Sequence, residues 1–228
     1  MNKDFSVLEN DIVACRKCAR LNAWRAEVAR LKRKAYQDQE YWGKPVPGFG
    51  DPDARILIVG LAPGAHGSNR TGRMFSGDAS GNFLFSALNR FGFANQAEAF
   101  SKDDGLQLSD VFISAVCRCA PPANKPTKDE INSCLPWLWQ EVAFLSNLQG
   151  IVALGKIAYD GVTRMYKEHD LTLVVNGFSH GEFYLSGEGK PWVLCSYHPS
   201  QQNTQTGRLT QEMFDSIWEE VIKDLAMS

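Results

Sequence analysis

Residues 55–60 read Arg55-Ile-Leu-Ile-Val-Gly60, a short apolar run that ends in glycine. A continuous apolar run of this length is typical of a parallel strand that is buried on both faces of a sheet. Three further apolar runs share this character, at residues 111–116, 150–154 and 192–197. Together the four runs predict a sheet that is mainly parallel.

Helical segments alternate with these strands. They fall at residues 23–36, 82–91, 127–145 and 210–227. Pro136 lies inside the third segment and predicts a kink or a break there. Strands that alternate with helices indicate an α/β fold, here a three-layer sandwich around a central, four-stranded, mainly parallel sheet. We expect a single domain over residues 1–228, because a chain of this length fits one hydrophobic core.

The composition excludes several classes of protein. Hydrophobic residues make up 44% of the chain, which excludes global disorder, and no apolar run approaches the roughly 20 residues that span a bilayer. The first residues lack the basic and apolar regions of a secretory signal, so we expect a cytoplasmic protein without a membrane partner. In that compartment the six cysteines are reduced, which favours metal ligands or buried thiols over disulfides.

Charge is distributed unevenly along the chain. The formal net charge of −2 argues against a protein that wraps nucleic acid with its whole surface. Residues 16–34 nevertheless contain eight Lys or Arg and a single acid, Glu27. This basic segment has two interpretations: a solvated face of a helix, which the pattern alone favours, or a local contact with a polyanion.

A glycine-rich loop follows the first strand. Residues 60–81 hold six glycines, which permit left-handed backbone and close approach of a ligand to N–H groups. Arg73 and Met74 stand where a phosphate-binding P-loop requires Lys and Ser or Thr, which excludes a nucleoside triphosphatase. Phe75 is either a stacking face or a core aromatic, and Asp78 is either a chemical acid or a helix N-cap.

Two further polar loops follow predicted strands and begin at Arg118 and His198. Ligands of parallel α/β sheets bind at the carboxyl ends of the strands, so all three loops are candidates for the site. His198 stands just past a strand end and before a proline, which orients its imidazole towards a strand-end cleft. A lone histidine is more often structural, but its position in this loop favours the functional interpretation.

The cysteines form one close pair and several single residues. Cys15 and Cys18 make a C-x-x-C pair, and Cys119 and Cys134 are the next plausible partners, with Cys117 competing for the place of Cys119. Four thiolates in such a set hold either zinc or an iron–sulfur cluster. The alternative is a redox or incidental pair accompanied by buried thiols.

Three motifs carry a family resemblance: Gly60-Leu-Ala-Pro-Gly64, Gly77-Asp-Ala-Ser-Gly81 and His198-Pro-Ser-Gln-Gln-Asn203. Together with Arg118-Cys-Ala-Pro-Pro122 they resemble the uracil-DNA glycosylase superfamily, and within it family 5, the iron–sulfur type-b enzymes. The resemblance covers most of the chain, from about residue 15 to residue 208. It implies a monomeric enzyme that cleaves the N-glycosidic bond of uracil in DNA, and of other deaminated bases such as hypoxanthine or xanthine.

The resemblance also implies a [4Fe–4S] cluster, with zinc as the alternative metal. Matched by position, its four ligands are Cys15, Cys18, Cys119 and Cys134. Cys119 is chosen over Cys117 because it directly precedes an Ala-Pro-Pro sequence, where the family has its ligand. The N-terminal helical segment, about residues 1–44, would then bind the cluster, which would be a structural element near DNA.

Glycosidic cleavage needs a base outside the stack, a stabilised leaving group and a guided water. Phe75 would stack on the base, and His198 would donate a hydrogen bond to a base carbonyl as negative charge develops there. Asp78 would orient or activate the water and stabilise the positive charge of the sugar. Backbone amides of Gly64 and Ala65 would bind the base or the water.

Further contacts are expected from the same loops. Base contacts are expected from Asn124 and Asn203, and DNA contacts from Ser200, Gln201, Gln202 and Arg208. The loop over residues 200–203 would enter the duplex and hold the extrahelical nucleotide.

Three positions depart from the patterns of the resemblance. Ala65 stands where related families carry Asp, Glu or Asn, and Ala115 stands where they carry a uracil-reading Asn, so both indicate a wider range of bases. Met74 replaces the proline expected before Phe75, which predicts slightly different packing around the base.

Two other functions compete with glycosidic cleavage. A cysteine-ligated metal protein that binds nucleic acid or a protein partner without catalysis explains the cysteines, but not the loops with Asp78 and His198 at strand ends. A thiol redox protein would place its C-x-x-C pair at the start of a helix after a strand, and no strand is predicted before Cys15. The sequence therefore favours the glycosylase.

Overall fold

A sheet with four buried central strands organises the computed structural model, which describes residues 5–171, 173 and 176–227. Every residue of these four strands is buried, as their continuous apolar sequence predicts. The strands of the sheet are β1 Phe49–Gly50, β2 Ile56–Gly60, β3 Val111–Ala115, β4 Gly150–Leu154, β5 Phe183–Tyr184 and β6 Trp192–Ser196.

The order of the strands across the sheet is β1-β3-β2-β4-β6-β5. Strands β3, β2, β4 and β6 are parallel, with Ile56 of β2 opposite both Val111 of β3 and Gly150 of β4. β1 and β5 pair antiparallel at the two edges and contain two residues each. The four-stranded parallel centre is confirmed, but a sheet of only four strands is wrong, because two-residue edge strands produce no periodic pattern in a sequence.

Helices cover both faces of this sheet. They are α1 Phe5–Ala14, α2 Ala19–Leu31, α3 Ser68–Thr71, α4 Ala79–Arg90, α5 Lys128–Phe144, α6 Lys156–Glu168, α7 Gln201–Gln205 and α8 Gln211–Met227. On one face Leu84 of α4 packs in a cluster with Trp218 of α8, and on the other Leu138 of α5 packs in a cluster with Val162 of α6. The predicted three-layer sandwich is therefore confirmed.

Several helix boundaries differ from the sequence-based prediction. The helix predicted at residues 23–36 is α2, which begins at Ala19 and ends at Leu31 because Lys32 adopts a left-handed φ of 55°. α5 runs through Pro136 without a break. α1 lies in the predicted N-terminal helical segment of about residues 1–44, whereas α6 falls outside every predicted helix. Among the described residues, no helix combines the length and the apolar character that crossing a membrane requires.

The basic segment at residues 16–34 exposes less free charge than its composition predicts. Arg25 is buried and donates to the Gly43 carbonyl, so it cannot reach a phosphate. Arg20 forms an ion pair with Glu130 at 2.6 Å. Part of this charge therefore fastens α2 to the rest of the fold.

Candidate active site

Asp78 lies between the glycine-rich loop after β2 and the first turn of α4. It is the N-cap of α4, and its carboxylate accepts a hydrogen bond of 3.0 Å from the Gly81 N–H. Its Oδ2 packs against the loop so closely that a Cβ on Gly64 would stand 2.9 Å away, and a Cβ on Gly67 would overlap it. Asp78 is thus a helix cap and also faces the loop at the carboxyl end of β2.

The surroundings of the Asp78 carboxylate act on its charge in opposite directions. Burial raises the pKa of Asp78, while N–H donors of Gly81 and Ser80 and the positive charge of Arg70 lower it. Arg70 is fixed near the site because its guanidinium donates to the Gly77 carbonyl at 2.9 Å. The result is a partly desolvated carboxylate beside an immobilised cation.

Hydrogen bonds from Asn69 hold the loop residues Gly64 and Ala65, and Gly64 packs against Asp78. Their carbonyls accept hydrogen bonds from the backbone N–H and the side-chain amide of buried Asn69, at 3.0 Å and 3.3 Å. Within the described residues no acceptor takes the N–H of either residue. The loop is therefore held rigidly while two donors stay available to a ligand.

The Phe75 ring stacks against the His198 imidazole, with centroids 5.8 Å apart and planes 26° apart. Phe75 is only 9% exposed and packs over Gly60, where a Cβ would approach the ring to 2.8 Å. Its φ of 55° is strained for an aromatic residue. Its burial supports the interpretation of Phe75 as a core aromatic, and its role as a stacking face for a base stays a prediction.

Contacts from three residues position His198 after β6. Its carbonyl accepts hydrogen bonds from the Ser200 N–H at 2.8 Å and from the Asn203 side-chain amide at 2.9 Å. A Cβ on Gly155, whose φ is 94°, would lie 3.1 Å from the His198 Cβ, so this glycine leaves room for the imidazole. Burial lowers the pKa of His198 to about 4, which keeps the ring neutral at pH 7.

Residues 200–203 form the start of α7 rather than the loop that the sequence predicts. Ser200 is the N-cap, and its hydroxyl accepts a hydrogen bond of 3.3 Å from the Asn203 N–H. Gln201 and Gln202 are exposed on the first turn. The contact of Asn203 is with the backbone of His198, so the structure gives this residue a positioning contact.

Asn124 and Arg208 lie on the surface. Asn124 ends a 3₁₀ turn, Pro122–Asn124, with a left-handed φ of 56° and an exposed side chain. Arg208 is exposed, and its guanidinium lies 4.8 Å from the centroid of the Tyr197 ring. Among the described residues no side-chain contact joins Asn124 to Asp78, so its role in reading a base stays a prediction.

All six cysteines are free, and four of them, Cys117, Cys119, Cys134 and Cys195, are buried. Cys15 and Cys18 are half-buried in the connection between α1 and α2. Burial raises the pKa of both Cys18 and Cys119, that of Cys119 to about 12, and Cys15 and Cys134 act electrostatically on both. The four cysteines selected by resemblance are therefore neighbours, and Cys195 lies apart from them in β6.

Cys117, the competing residue, contacts the same group. Its thiol forms a hydrogen bond with Cys134, which raises the pKa of Cys117. The Arg118 N–H also donates to the Cys134 sulfur at 3.2 Å. In the described part of the chain, no group of three or more His, Cys, Asp and Glu side chains is arranged for a single metal ion.

A buried ion pair that sequence reasoning missed supports the cysteine segment. Arg118 and Glu141 are each 1% exposed, and their charged groups lie 2.5 Å apart. Glu141 also accepts hydrogen bonds from the Ser114 hydroxyl at 2.6 Å and from the Gly48 N–H at 3.1 Å. Glu141 shares α5 with Cys134, so the pair fastens the segment containing Cys117 and Cys119 to that helix.

The model of the uracil DNA glycosylase superfamily matches residues 47–222. These residues contain the whole sheet and the loops that position Asp78, Phe75 and His198. A match over most of the chain defines the class, and the chain belongs to the uracil DNA glycosylase superfamily.

Curated relatives narrow this assignment. The type-5 uracil-DNA glycosylase of Thermus thermophilus is 50% identical over 211 residues, which cover 92% of this chain and 94% of the relative. The type-5 enzyme of Mycobacterium leprae is 48% identical, with 95% and 93% covered. A type-4 uracil-DNA glycosylase of Pyrobaculum aerophilum is 38% identical, with 71% and 74% covered. Within the superfamily, the chain groups with the type-5 uracil-DNA glycosylases.

Proposed function

We propose that the protein is a DNA glycosylase that hydrolyses the N-glycosidic bond of uracil in DNA and leaves an abasic site. One observation carries the proposal: a desolvated Asp78 carboxylate and a neutral His198 imidazole lie in loops at the carboxyl ends of the parallel strands, and the strained Phe75 ring stacks on that imidazole. The names of the type-5 relatives support the same activity.

The first requirement of the reaction is a base outside the duplex, because the glycosidic bond is unreachable inside the stack. Phe75 provides a ring against which an extruded pyrimidine stacks. Gln201 and Gln202 would enter the duplex, and their exposure on the first turn of α7 supports this role. Ser200 stabilises that turn as its N-cap, and Arg208 contacts a phosphate.

Asp78 acts on the sugar side of the bond. As the bond between C1′ and the base nitrogen breaks, both bonding electrons leave with the base and the sugar becomes positive. The Asp78 carboxylate stabilises that charge and orients a water whose oxygen bonds to C1′ and whose proton is released. The free N–H groups of Gly64 and Ala65 help to hold the water or the base.

His198 acts on the leaving base. The electrons that leave with the base place negative charge on its carbonyl oxygen. A neutral imidazole donates a hydrogen bond to that oxygen, which stabilises the charge as it forms. Asn203 holds the His198 backbone while presenting its amide oxygen near the base, and Asn124 contacts the edge of the base.

The range of bases is wider than uracil alone. Ala65 offers only a methyl group in the loop after β2, and Ala115 ends β3 with a buried methyl group. Neither side chain reads the hydrogen-bonding edge of a base. We therefore propose that hypoxanthine and xanthine are also released.

The cysteines hold a [4Fe–4S] cluster in this proposal, with Cys15, Cys18, Cys119 and Cys134 as ligands. A cluster of this kind is held by four cysteine thiolates, which these four residues would supply. The burial of Cys119 and Cys134 and the electrostatic effect of Cys15 and Cys134 on Cys18 support this set of ligands, and zinc is the alternative metal. The cluster supplies a structural link between residues 1–44 and the loops of the sheet.

The proposal extends to the organisation of the protein. Residues 1–228 form a single domain that acts as a monomer, with the segment of about residues 1–44 as its cluster-binding part. A substrate in chromosomal DNA places the enzyme in the cytoplasm, at the nucleoid.

Base release from synthetic oligonucleotides tests the activity. Single-stranded and duplex oligonucleotides with one uracil, hypoxanthine or xanthine are incubated with excess enzyme, and abasic sites are cleaved with alkali and counted. The variant Asp78→Asn keeps the size of the side chain and removes its charge. We expect the rate of base release to fall by about 10²–10⁴-fold.

The variant Asp53→Asn is the matched control, because Asp53 is exposed before the amino end of β2 and therefore at the opposite end of the strand from the site. It should release bases at the rate of the unchanged protein. A normal rate for Asp78→Asn removes Asp78 from the mechanism. A folded protein that releases no base from any substrate rejects the proposed function.

A further inference from the structure

A groove of about 1050 Å³ lies beside the candidate active site and is absent from the mechanism above. Its floor includes Gly77, Asp78 and Asn82, so it begins at the catalytic carboxylate. One wall comes from residues 36–44 and the other from residues 100–103. Neither Phe75 nor His198 lines it, so it is distinct from the place where the base is cleaved.

Phe100 stands on one wall and is 57% exposed, although it is a large apolar side chain. The loop that carries it is rigidly built. Asp104 accepts hydrogen bonds from the backbone N–H groups of Phe100, Ser101 and Leu106, at 2.7, 3.1 and 3.1 Å. An exposed phenyl ring on such a fixed loop is a preorganised contact surface.

The loop that carries Phe100 is also hydrogen-bonded to the glycine-rich loop after β2. Buried Arg73 donates two hydrogen bonds to the Asp104 carboxylate, at 2.7 and 2.6 Å, and holds the pKa of that carboxyl well below its usual range. The Gly77 N–H, one residue before Asp78, donates to the Ala99 carbonyl at 2.8 Å. The ring and the catalytic carboxylate are thereby held in one fixed relation.

The opposite wall is aromatic and is also hydrogen-bonded to the glycine-rich loop after β2. The Trp42 N–H donates to the Arg70 carbonyl at 2.9 Å, and the indole N–H donates to Pro45. The Arg70 guanidinium lies over the Tyr36 ring at 4.1 Å. Both walls thus present rings at fixed places on either side of the floor.

Charges of both signs line the groove: the cations are Lys44, Arg70 and Lys102, and the acids are Glu40, Asp78 and Asp103. Lys44 lies 5.3 Å from the Trp42 ring and forms no ion pair among the described residues, whereas Lys102 pairs with Asp103 at 2.8 Å. The aromatic wall begins at Tyr36, directly after the basic residues 32–34. Aromatic rings beside an unpaired cation such as Lys44 are features that bind unpaired nucleotides, by stacking on bases and attracting a phosphate.

We propose that this groove holds the nucleotides on one side of the extrahelical target, in the same DNA strand, with Phe100 stacked on a base and Lys44 at a phosphate. This inference rests on the proposed function, because it takes DNA as the substrate. Continuity of the groove with Asp78 requires that the strand entering it carries the target nucleotide. The groove therefore distinguishes the two flanks of the target.

Binding of truncated oligonucleotides tests the proposal in an Asp78→Asn background, which prevents turnover. Three single-stranded uracil oligonucleotides are used: one with both flanks, one without the 5′ flank and one without the 3′ flank. Phe100→Ala should weaken binding of the first by about 5-fold or more, the effect of losing one stacked base. It should have no effect on one of the truncated oligonucleotides and its full effect on the other.

Matched control variants show whether a loss of DNA affinity is specific to the groove or follows from removing any exposed side chain. Leu185→Ala removes another exposed apolar side chain, 72% exposed and next to the edge strand β5, and should leave all three affinities unchanged. Lys44→Ala should reduce the slope of log affinity against log salt by about 0.7, the value for one phosphate of a single strand, and Lys167→Ala on α6 should not.

The proposal is overturned if Phe100→Ala binds the full oligonucleotide normally, or weakens binding of both truncated forms equally. These results differ from a failure of the proposed function, in which the unchanged protein releases no base at all. Arg73→Met is a second variant that leaves Phe100 in place and frees its loop. It should lose the same flank-specific affinity as Phe100→Ala, and retention of that affinity would count against the anchored loop.

Discussion

Replacing Arg118 with Met tests how strongly the buried ion pair holds the cysteine segment to α5. In this variant Glu141 loses its cation but stays in a site where it is 1% exposed. Two donors to the carboxylate are left, the Ser114 hydroxyl and the Gly48 N–H. The variant therefore creates a buried charge that is hydrogen-bonded but unpaired.

The size of the effect follows from this geometry. Removing one partner of a buried ion pair costs about 3–5 kcal/mol, because the remaining charge is uncompensated. Domains are usually stable by about 5–15 kcal/mol, so Arg118→Met should remove a large share of the free energy of unfolding. Glu141→Leu removes the carboxylate and leaves the buried Arg118 unpaired, so we expect a similar loss.

The double variant Arg118→Met, Glu141→Leu distinguishes the loss of the whole ion pair from the loss of one partner. It replaces both charges with apolar groups of comparable size, which is often neutral for stability. Urea unfolding followed by circular dichroism measures all the variants under one set of conditions. We expect the double variant to recover most of the loss of the single variants.

Two results would refute this reasoning. Arg118→Met could unfold within about 0.5 kcal/mol of the unchanged protein, the range of an ordinary surface substitution. Alternatively, the losses of the two single variants could add in the double variant. Additivity would show that the two side chains do not depend on each other.

Other predictions concern the site and the cysteines. Folding lowers the pKa of His198 from an ordinary value near 6.5 to about 4, so between these pH values the unfolded chain binds a proton more readily than the folded chain. The free energy of unfolding should therefore decrease as the pH is lowered through this range. His198→Gln should make that decrease smaller in urea titrations. Cys18→Ser should lose iron and absorbance near 400 nm, whereas Cys195→Ser, from a buried strand, should keep both. Gly60→Val should overpack the Phe75 ring, cost about 1–3 kcal/mol in thermal unfolding and slow base release.

The parallel centre of the fold could be predicted because each of its strands is buried over its full length. Ile56–Gly60 contacts helices on both faces, so no polar residue interrupts it and the apolar run is visible in the sequence. The edge strand Phe49–Gly50 has two half-buried residues and no such constraint. Its pairing with β3 depends on residues distant along the chain, which local patterns do not contain.

The site could be predicted only in part, for a related reason. Asp78 and His198 stand at strand ends, and the order of the chain marks those positions. The sequence marks Arg73 only as a departure from the P-loop pattern, whereas in the structure it binds Asp104, 31 residues away. Arg25 counted as positive surface, but its guanidinium is buried. Long side chains of this kind obtain their partners from tertiary packing, and their spacing in the sequence carries no signal of it.

Asp78 and His198 differ in how their surroundings act on the charge of each side chain. Burial opposes charge on both side chains, but only Asp78 receives compensation, from N–H groups at the start of α4 and from Arg70. For His198, burial alone shifts the pKa, and the ring stays neutral. In the proposed mechanism the sugar becomes positive and the base negative, so the site needs an anion on the sugar side and a hydrogen-bond donor on the base side. A cationic imidazole would add to the electrostatic attraction for the base but would also offset the Asp78 anion, so a neutral donor keeps the two contributions separate.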